Sequence, residues 1–454
     1  MQRFNLLAKR GPALLIWMLA VLLLAGCENE TGSTPLNGGE DDAHDHEEHG
    51  DHPGRLAILS RDGAGDQLYA YDLEAQALLP GSLALNNAPS ALTTSPGKRF
   101  VLAIQRNANQ TQVIDGGLYR HDDHVDEVAP ALVGTLTGPR PTHYRVHGEQ
   151  AALFYDGDAG SALMAQVQVL TDHSLESAAM EADHTLASAH HGVAEPRGEI
   201  LLATRRTADS GLPEKVDILH QHGDHYHGEG TISLDCPDLH GAGSNEAYSV
   251  FGCSDGILIV HQDGETFTAQ HVDNATLGLA DGERVGSFDS HHELSQFVAY
   301  AGDRILIIHP DHGDAEELAW TEGAPVGLDS HALDGHGEHL ILLDDNGDLR
   351  IFDTADWSEH AHVENAIDPE TAAPPASGHG SRVSMAVGGE PAQVFLSHAD
   401  SQSIIVVDVE TGTLATPLAL SFPPGKLTWV GLSEEHDDHG EEAHAHDEEH
   451  DHDH

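Results

Sequence analysis

The sequence predicts an all-β protein, a β-propeller with eight blades, from three observations. Short apolar segments recur along the chain, their spacing fits one four-stranded blade, and no stretch between them has a helical period of useful length. Most are followed by a turn and a second strand, as at residues 345–348 before residues 349–353. Such turns are typical of β-hairpins. Repeated hairpins without helices are typical of propeller blades.

The apolar segments number eight, and their starts lie roughly 43 to 52 residues apart. They are residues 56–59, 100–104, 151–155, 200–204, 248–252, 297–300, 340–343 and 392–396. Taking each segment as the first strand of a blade gives eight blades. Residues 427–432 could close the ring against the N-terminal strands, so seven blades stay open if one segment is irregular. A two-domain β-sandwich is the alternative fold.

Residues 1–26 predict a secretory signal peptide. Arg3, Lys9 and Arg10 precede an apolar run at 13–25 that is short for a membrane span. The run ends in Leu-Ala-Gly-Cys, similar to a bacterial lipobox, so Cys27 is expected to be the lipid anchor of the mature chain. An ordinary cleaved signal peptide is the alternative. The predicted location is the periplasmic side of a bacterial membrane, and by resemblance to lipoprotein sorting Glu28 favours the outer membrane.

The two ends of the mature chain differ from its body in composition. Residues 27–53 and 434–454 are rich in His, Asp and Glu and almost lack apolar side chains, so both are predicted to be disordered. The propeller is expected between them, at residues 54–433. The formal net charge of -56 excludes nucleic acid as a partner, because phosphates would be repelled.

The 37 histidines are clustered along the chain. In several repeats a histidine lies shortly before the expected inner strand, at His143, His191, His240, His292 and His331. In a propeller this segment faces the central channel, so these imidazoles are expected to converge at one mouth or along the pore. Imidazoles beside carboxylates suit Zn²⁺. For each histidine alone, a hydrogen bond to the next blade is the alternative role.

Further histidine clusters lie in loops and in the tails. His121 and His124 form one, and His220, His222, His225 and His227 with Asp224 occupy a predicted hairpin tip. The N-terminal tract carries His44, His46, His49 and His52. Flexible tracts of this kind bind divalent ions with modest affinity and fast exchange, which suits collection and hand-over. Merely polar loop tips are the alternative for the two loops.

Two cysteines remain besides Cys27, namely Cys236 and Cys253. In an oxidising compartment such a pair favours a disulfide over a metal site. Thiolate ligation beside His240 is the alternative.

These motifs resemble the AztD family of periplasmic zinc chaperones, which pass zinc to the solute-binding protein of an ABC importer. The resemblance rests on residues 44–49 (His-Asp-His-Glu-Glu-His), 236–241 (Cys-Pro-Asp-Leu-His-Gly) and 252–256 (Gly-Cys-Ser-Asp-Gly). It implies a propeller with a Cys236 to Cys253 bridge, zinc on histidines of the body, and transfer assisted by the N-terminal tract. The lipobox and the His-rich C-terminal tail depart from the family, and a tethered relative would be a zinc buffer or collector.

The sequence favours a carrier over an enzyme, since it contains no Gly-x-Ser-x-Gly, His-Glu-x-x-His or Walker motif. Two alternatives stay open. One is an interaction scaffold with incidental His tails, and the other is a zinc-dependent hydrolase in the propeller mouth, because three histidines with an open water position also form catalytic sites. Nickel, copper and cobalt accept imidazole as well. Zinc is favoured by the oxygen-rich surroundings and the family resemblance.

Overall fold

The computed structural model describes residues 52–121, 124–208, 211–321, 326–368 and 383–432. The chain divides into two compact units, Met1–Glu48 and His49–His454, and every described residue belongs to the second. The predicted signal peptide, Cys27, the histidines at 44, 46 and 49, and residues 434–454 lie outside the described residues. Within the described ranges, no helix is long and apolar enough to cross a lipid bilayer.

Strands account for nearly all regular structure in these ranges. The first half contains β1 (Arg55–Ser60), β2 (Gln67–Asp72), β3 (Ala77–Leu78), β4 (Leu83–Ala84), β5 (Ala91–Thr94), β6 (Phe100–Gln105), β7 (Gln110–Asp115), β8 (Leu118–His121), β9 (His124–Glu127), β10 (Ala131–Thr137), β11 (Pro141–His147), β12 (Gln150–Tyr155), β13 (Gln166–Leu170), β14 (Ala182–Thr185), β15 (Ala194–Arg197), β16 (Ile200–Arg205), β17 (Lys215–His222) and β18 (His225–Thr231). The second half contains β19 (Ala242–Ser244), β20 (Tyr248–Gly252), β21 (Gly256–Asp263), β22 (Thr266–Asp273), β23 (Ser287–Asp289), β24 (Phe297–Ala301), β25 (Arg304–His309), β26 (Asp314–Glu317), β27 (Leu328–Leu333), β28 (His339–Asp344), β29 (Leu349–Asp353), β30 (Glu359–Val363), β31 (Met385–Gly388), β32 (Gln393–His398), β33 (Ser403–Asp408), β34 (Thr413–Leu414), β35 (Leu418–Ala419) and β36 (Pro424–Val430). The helical segments are α1 (Asp172–Leu175) and the short 3-10 turns Arg106–Ala108 and Ala159–Ser161.

The strands form eight antiparallel blades, which confirms the predicted propeller. From the inner strand outward, blade 1 is β36-β1-β2-β3, blade 2 is β5-β6-β7-β10, blade 3 is β11 to β14, blade 4 is β15 to β18, blade 5 is β19 to β22, blade 6 is β23 to β26, blade 7 is β27 to β30 and blade 8 is β31 to β34. β4 and β35 add outer pairings to blades 1 and 8, and β8 with β9 forms a separate hairpin. A single parallel pairing between β14 and β18 joins blades 3 and 4.

The ring is closed by the C-terminal strand, as the sequence predicted. β36 pairs with β1 and becomes the inner strand of blade 1. A separate apolar core fills the space between each pair of neighbouring blades. Leu56 and Ile58 pack toward Phe395 of blade 8, while the alternate residues Ala57 and Leu59 pack toward blade 2. Because side chains alternate along a strand, one strand supplies both cores.

The eight apolar segments are the second strands of the blades, which corrects the prediction that they are the first. They correspond to β1, β6, β12, β16, β20, β24, β28 and β32. A second strand has a core on each face, so its sequence is continuously apolar. The inner strand borders the channel and carries more polar residues, as in β11 with the sequence Pro-Thr-His-Tyr-Arg-Val-His. The histidines placed upstream of the apolar segments therefore lie in or next to the inner strands.

Candidate metal centre

Three histidines from three consecutive blades meet at one mouth of the channel. His143 lies in β11, whereas His191 and His240 lie in the segments that lead into β15 and β19. One ring nitrogen of each lies within 4.8 Å of those of the other two. The ring centroids are 4.7 Å apart for His143 and His191, 5.3 Å for His191 and His240, and 5.7 Å for His143 and His240. We call these three residues the ring cluster.

The protein holds all three rings through the same nitrogen. Nδ1 of His143 donates to the carbonyl oxygen of Gly192 (2.8 Å), and Nδ1 of His240 donates to that of Gly286 (2.9 Å). Nδ1 of His191 lies 3.0 Å from the Asp156 carboxylate. Since carbonyl and carboxylate oxygens only accept, each Nδ1 carries the proton and each Nε2 carries the lone pair. Hydrogen bonding to a neighbouring blade and metal ligation therefore use different nitrogens of the same ring.

Glycines beside two of these histidines allow the close approach of the blades. A side chain at Gly192 would meet the Phe154 ring of blade 3 at 2.6 Å. Gly241 has a positive φ of 79°, and a side chain there would meet the Gly286 carbonyl oxygen at 2.5 Å. The His-Gly pairs in the sequence thus reflect a backbone packed directly against the neighbouring blade.

The electrostatic setting favours the neutral, metal-binding form of His143. Burial, with the charge of His191, lowers the pKa of His143 to about 4. Burial alone would raise the pKa of Asp156, but its hydrogen bonds and ion pairs with His191 and Arg106 hold it below its usual range. Arg106 lies 2.6 Å from the same carboxylate oxygen. Asp156 is thus an ionised partner behind His191, in the position that outer carboxylates occupy in zinc sites.

The donor set fits a divalent transition metal. Three imidazole nitrogens are the ligands of many zinc sites, in which tetrahedral geometry places neighbouring ligand nitrogens about 3.4 Å apart. The ring nitrogens of the ring cluster lie within 4.8 Å of one another, so the three rings would move closer together on binding an ion. Three protein ligands leave a fourth position for water or for a ligand from a partner.

His292 and His331 do not join this cluster, contrary to the convergence expected from the sequence. His331 donates to Asp289 at 2.6 Å and stacks on Tyr300 with ring centroids 3.8 Å apart. His292 follows the far end of β23, where it forms a group with His291 and Glu293. His292 belongs to blade 6 and His331 to blade 7, whereas the ring cluster comes from blades 3, 4 and 5.

His331 borders a separate cavity of about 1000 Å³ in the channel. Its lining comes from inner strands and neighbouring segments of blades 1, 2, 6, 7 and 8, and includes Asp329 and Lys426. The ring cluster, which belongs to blades 3, 4 and 5, is not part of that lining.

The remaining predicted histidines have other positions. His222 and His225 face each other across the β17–β18 hairpin. His121 and His124 end the paired strands β8 and β9, and their side chains lie outside the described part of the structure. His52 lies near Glu74 and Glu127, but its Nδ1 accepts the Gly54 N–H, so a neutral ring carries its proton on Nε2 rather than a lone pair.

Cys236 and Cys253 form a disulfide, as predicted, so thiolate ligation is wrong for this structure. The bridge anchors the segment that leads to His240, whose backbone N–H also donates to Gly252.

Sequence reasoning missed Asp156, which directly follows the apolar strand β12 and carries no local motif. It named His191, and not the adjacent His190, as a candidate ligand. His190 is buried, with its two ring nitrogens at 3.0 Å from the carbonyl oxygens of Ser188 and Thr204. That contact is structural, whereas His191 reaches the ring cluster.

Comparison with known proteins supports the same architecture. No protein-family model matches the sequence. The chain is similar to AztD from Citrobacter koseri, in an apo structure and in a further crystal structure, each with 19% identity, 84% of this chain and 98% of that chain covered, and a TM-score of 0.67. It is also similar to the dihydro-heme d1 dehydrogenase NirN in complex with DHE, with 13% identity, 83% and 75% of the two chains covered, and a TM-score of 0.51. At these identities the likeness establishes an AztD-like fold.

Proposed function

We propose that this protein is an extracytoplasmic zinc carrier, which collects Zn²⁺ and delivers it to the solute-binding protein of a zinc ABC importer. The observation that carries the proposal is the common orientation of His143, His191 and His240, whose Nδ1 atoms are all held by protein oxygens. Each neutral ring thereby carries its lone pair on Nε2, and one ring nitrogen of each residue lies within 4.8 Å of those of the other two. The sequence resemblance to the zinc chaperones supplies the cargo and the recipient.

Three ligands suit a carrier because the fourth position lets a recipient's side chain bind the ion before the donor releases it. The ring cluster is half-buried at a mouth rather than sealed inside the body, so a partner can approach. The predicted His-rich tails would raise the local zinc concentration, and acylated Cys27 would keep the protein at the membrane. We propose no enzymatic activity.

Direct transfer is the decisive test. The full-length zinc-loaded protein is mixed with the zinc-free solute-binding protein of the same bacterium's importer, with and without excess EDTA. A carrier passes zinc to the recipient at nearly the same rate in both cases, because the ion never becomes free. Transfer that EDTA abolishes would contradict the proposal.

The alternatives have their own outcomes. A scaffold with incidental tails would lose no tight zinc binding when the ring cluster is mutated. A hydrolase would turn over generic ester or phosphoester substrates when loaded with zinc, and three-histidine sites with an open position make that assay worthwhile.

A further inference from the structure

The channel contains a large cavity that the ring cluster does not use. Its volume is about 1000 Å³, which is at the upper end for sites that bind small molecules. Ser287, Leu328 and Met385, the first residues of β23, β27 and β31, are part of its lining. His191 and His240 stand at the same end of their blades, just before β15 and β19. The cavity and the ring cluster therefore open at the same mouth, on different sides of the channel.

Blade 1 supplies the positive side of the cavity. Lys426 lies in β36 and Arg61 directly follows β1, and both are exposed residues of the lining. A side chain at Gly425 would meet Cγ of Arg61 at 3.3 Å, so the Arg61 stem lies over this glycine, next to Lys426. Lys426 forms no ion pair with any residue of the described ranges. Its ammonium group is thus available to a ligand.

Blade 7 supplies the negative side in the same way. Asp329 belongs to β27, and Asp345 directly follows β28. A side chain at Gly327 would meet Oδ2 of Asp345 at 2.9 Å, so this carboxylate lies over Gly327, two residues from Asp329. Asp345 also forms no ion pair within the part of the chain that the structure describes. Because blade 8 separates blades 1 and 7, the two signs of charge border one cavity from different blades.

His331 adds a hydrogen-bond acceptor to the lining. Its Nδ1 donates to the Asp289 carboxylate at 2.6 Å, and the Tyr300 hydroxyl donates to the same oxygen at 2.7 Å. Burial alone would raise the pKa of Asp289, but the charge and hydrogen bond of His331, with the Tyr300 bond, hold it below its usual range. In the neutral ring of His331 the lone pair is therefore on Nε2.

The charge balance of the cavity indicates the kind of ligand that it suits. The net charge of -56 repels anions from the whole protein, whereas a molecule without net charge is not repelled. The charged residues of the lining are two of each sign, Arg61 and Lys426 against Asp329 and Asp345. Such a lining matches a zwitterion with a carboxylate at one end and an ammonium group at the other. Apolar residues of the lining can receive apolar side chains, and they include Leu59, Leu92, Met385 and Leu427.

We propose that this cavity binds a short peptide with free ends. Lys426 and Arg61 bind its terminal carboxylate, Asp345 and Asp329 bind its terminal ammonium group, and Nε2 of His331 accepts a backbone N–H. A single amino acid would leave much of the cavity unfilled. The site goes beyond the proposed carrier function, because its ligand is not a metal ion and its residues are not those of the ring cluster.

Isothermal titration calorimetry with the full-length, zinc-free protein in metal-free buffer tests the site. The probes are tri-alanine, its C-terminal amide and its N-acetyl derivative. Tri-alanine is expected to bind with a Kd below about 1 mM. Each derivative lacks one terminal charge and should bind at least about tenfold more weakly, which corresponds to about 1.4 kcal/mol.

Two variants assign each end of the peptide to one side of the cavity. K426Q should weaken binding of tri-alanine about tenfold but leave the affinity of the amide unchanged, because the amide has no charge for Lys426 to bind. D345N should have the corresponding effect, with the N-acetyl derivative unchanged. The matched control is K215Q, since Lys215 pairs with Asp235 outside the lining. It should bind all three probes like the wild type.

The outcomes separate this site from the carrier function. Absence of tri-alanine binding up to about 10 mM, or equal affinity for the three probes, would overturn the peptide site. Zinc transfer by the same protein would then leave the carrier function intact. Selective peptide binding that persists in H143A/H191A/H240A, together with failed zinc transfer by the wild type, would support the cavity site and reject the carrier function.

Discussion

The ring cluster differs from a second group of histidines, His220, His222, His225 and His227 of the β17–β18 hairpin, which we call the hairpin cluster. In the ring cluster, His143, His191 and His240 come from three blades and are half-buried, and protein oxygens hold every Nδ1. In the hairpin cluster, four histidines lie within eight residues of sequence, are mostly exposed and contact chiefly one another. Histidines that are close together in the sequence therefore form an accessible group of imidazoles. Imidazoles with a fixed orientation need hydrogen-bond partners from elsewhere in the chain. We expect tight binding in the first and rapid exchange in the second.

The largest effect is expected from removing ring ligands. Loss of a single outer partner of a metal ligand costs about 10- to 100-fold in affinity. We therefore expect H143A/H240A to weaken the tightest zinc site by at least about 1,000-fold, or roughly 4 kcal/mol. Competition with a high-affinity chromophoric chelator measures this site above the weaker tails. The matched control H225A/H227A should leave the tightest site unchanged, and equal losses in both variants would refute the contrast.

The disulfide tests whether the ring cluster depends on a rigid frame. Cys236 and Cys253 close a loop of 17 residues in sequence separation, and such a loop stabilises a fold by about 3 kcal/mol. C236S/C253S should lower the free energy of unfolding by that amount in urea titrations of zinc-free protein. Zinc affinity should fall less than tenfold, because other bonds still hold His240. A hundredfold loss of affinity would show that the bridge, rather than the hydrogen bonds, positions this ligand.

His147 lies on the same strand as His143 but outside the ring cluster, so it shows the effect of burial on a histidine that does not bind the metal. Burial, with the nearby charges of Arg197 and His292, lowers the pKa of His147 to about 4, while its Nε2 donates to the Asn245 carbonyl oxygen. Between about pH 6.5 and 4, His147 is protonated in the unfolded chain but neutral in the folded chain. Stability should therefore fall as pH drops from about 6.5 to about 4, by about 3 kcal/mol for this residue, and then level off.

H147Q should flatten that part of the stability curve without changing zinc affinity at pH 7. Urea titrations of zinc-free wild type and variant, begun at pH 7 to account for the lost hydrogen bond, measure the difference in slope. Parallel curves between pH 6.5 and 4 would show that His147 does not cause the acid sensitivity.

The smallest effect is expected at the outer partner of the ring cluster. Asp156 holds His191 and also pairs with Arg106. D156N keeps an accepting oxygen but loses the charge, so zinc affinity should fall about tenfold, at the low end for outer partners. R106Q removes the same ion pair without touching His191 and should change affinity less. If R106Q and D156N lower zinc affinity equally, Asp156 affects zinc binding by stabilising the fold rather than by orienting His191.

Much of the fold was predictable because it repeats. Leu56 and Ile58 face one core and Ala57 and Leu59 face another, so each second strand is apolar throughout and visible in the sequence. The sequence analysis misplaced the inner strands, because strands such as β15 and β19 are short and border the channel, and so do not stand out as apolar runs. Of the five body histidines expected to converge, three do. His292 and His331 could not be separated from them, because contacts between blades, which the sequence does not show, decide which side chains meet.

The sequence by itself determined the all-β class, the eight repeats, the closing strand and the cysteine pair, since alternation, spacing and composition are local properties. The tertiary structure alone decided which histidines meet, which nitrogen of each ring the protein holds, and that Asp156 stands behind His191. Those properties arise from contacts between blades about 50 residues apart in the chain. A ring closes such distances only when all of its blades are packed together.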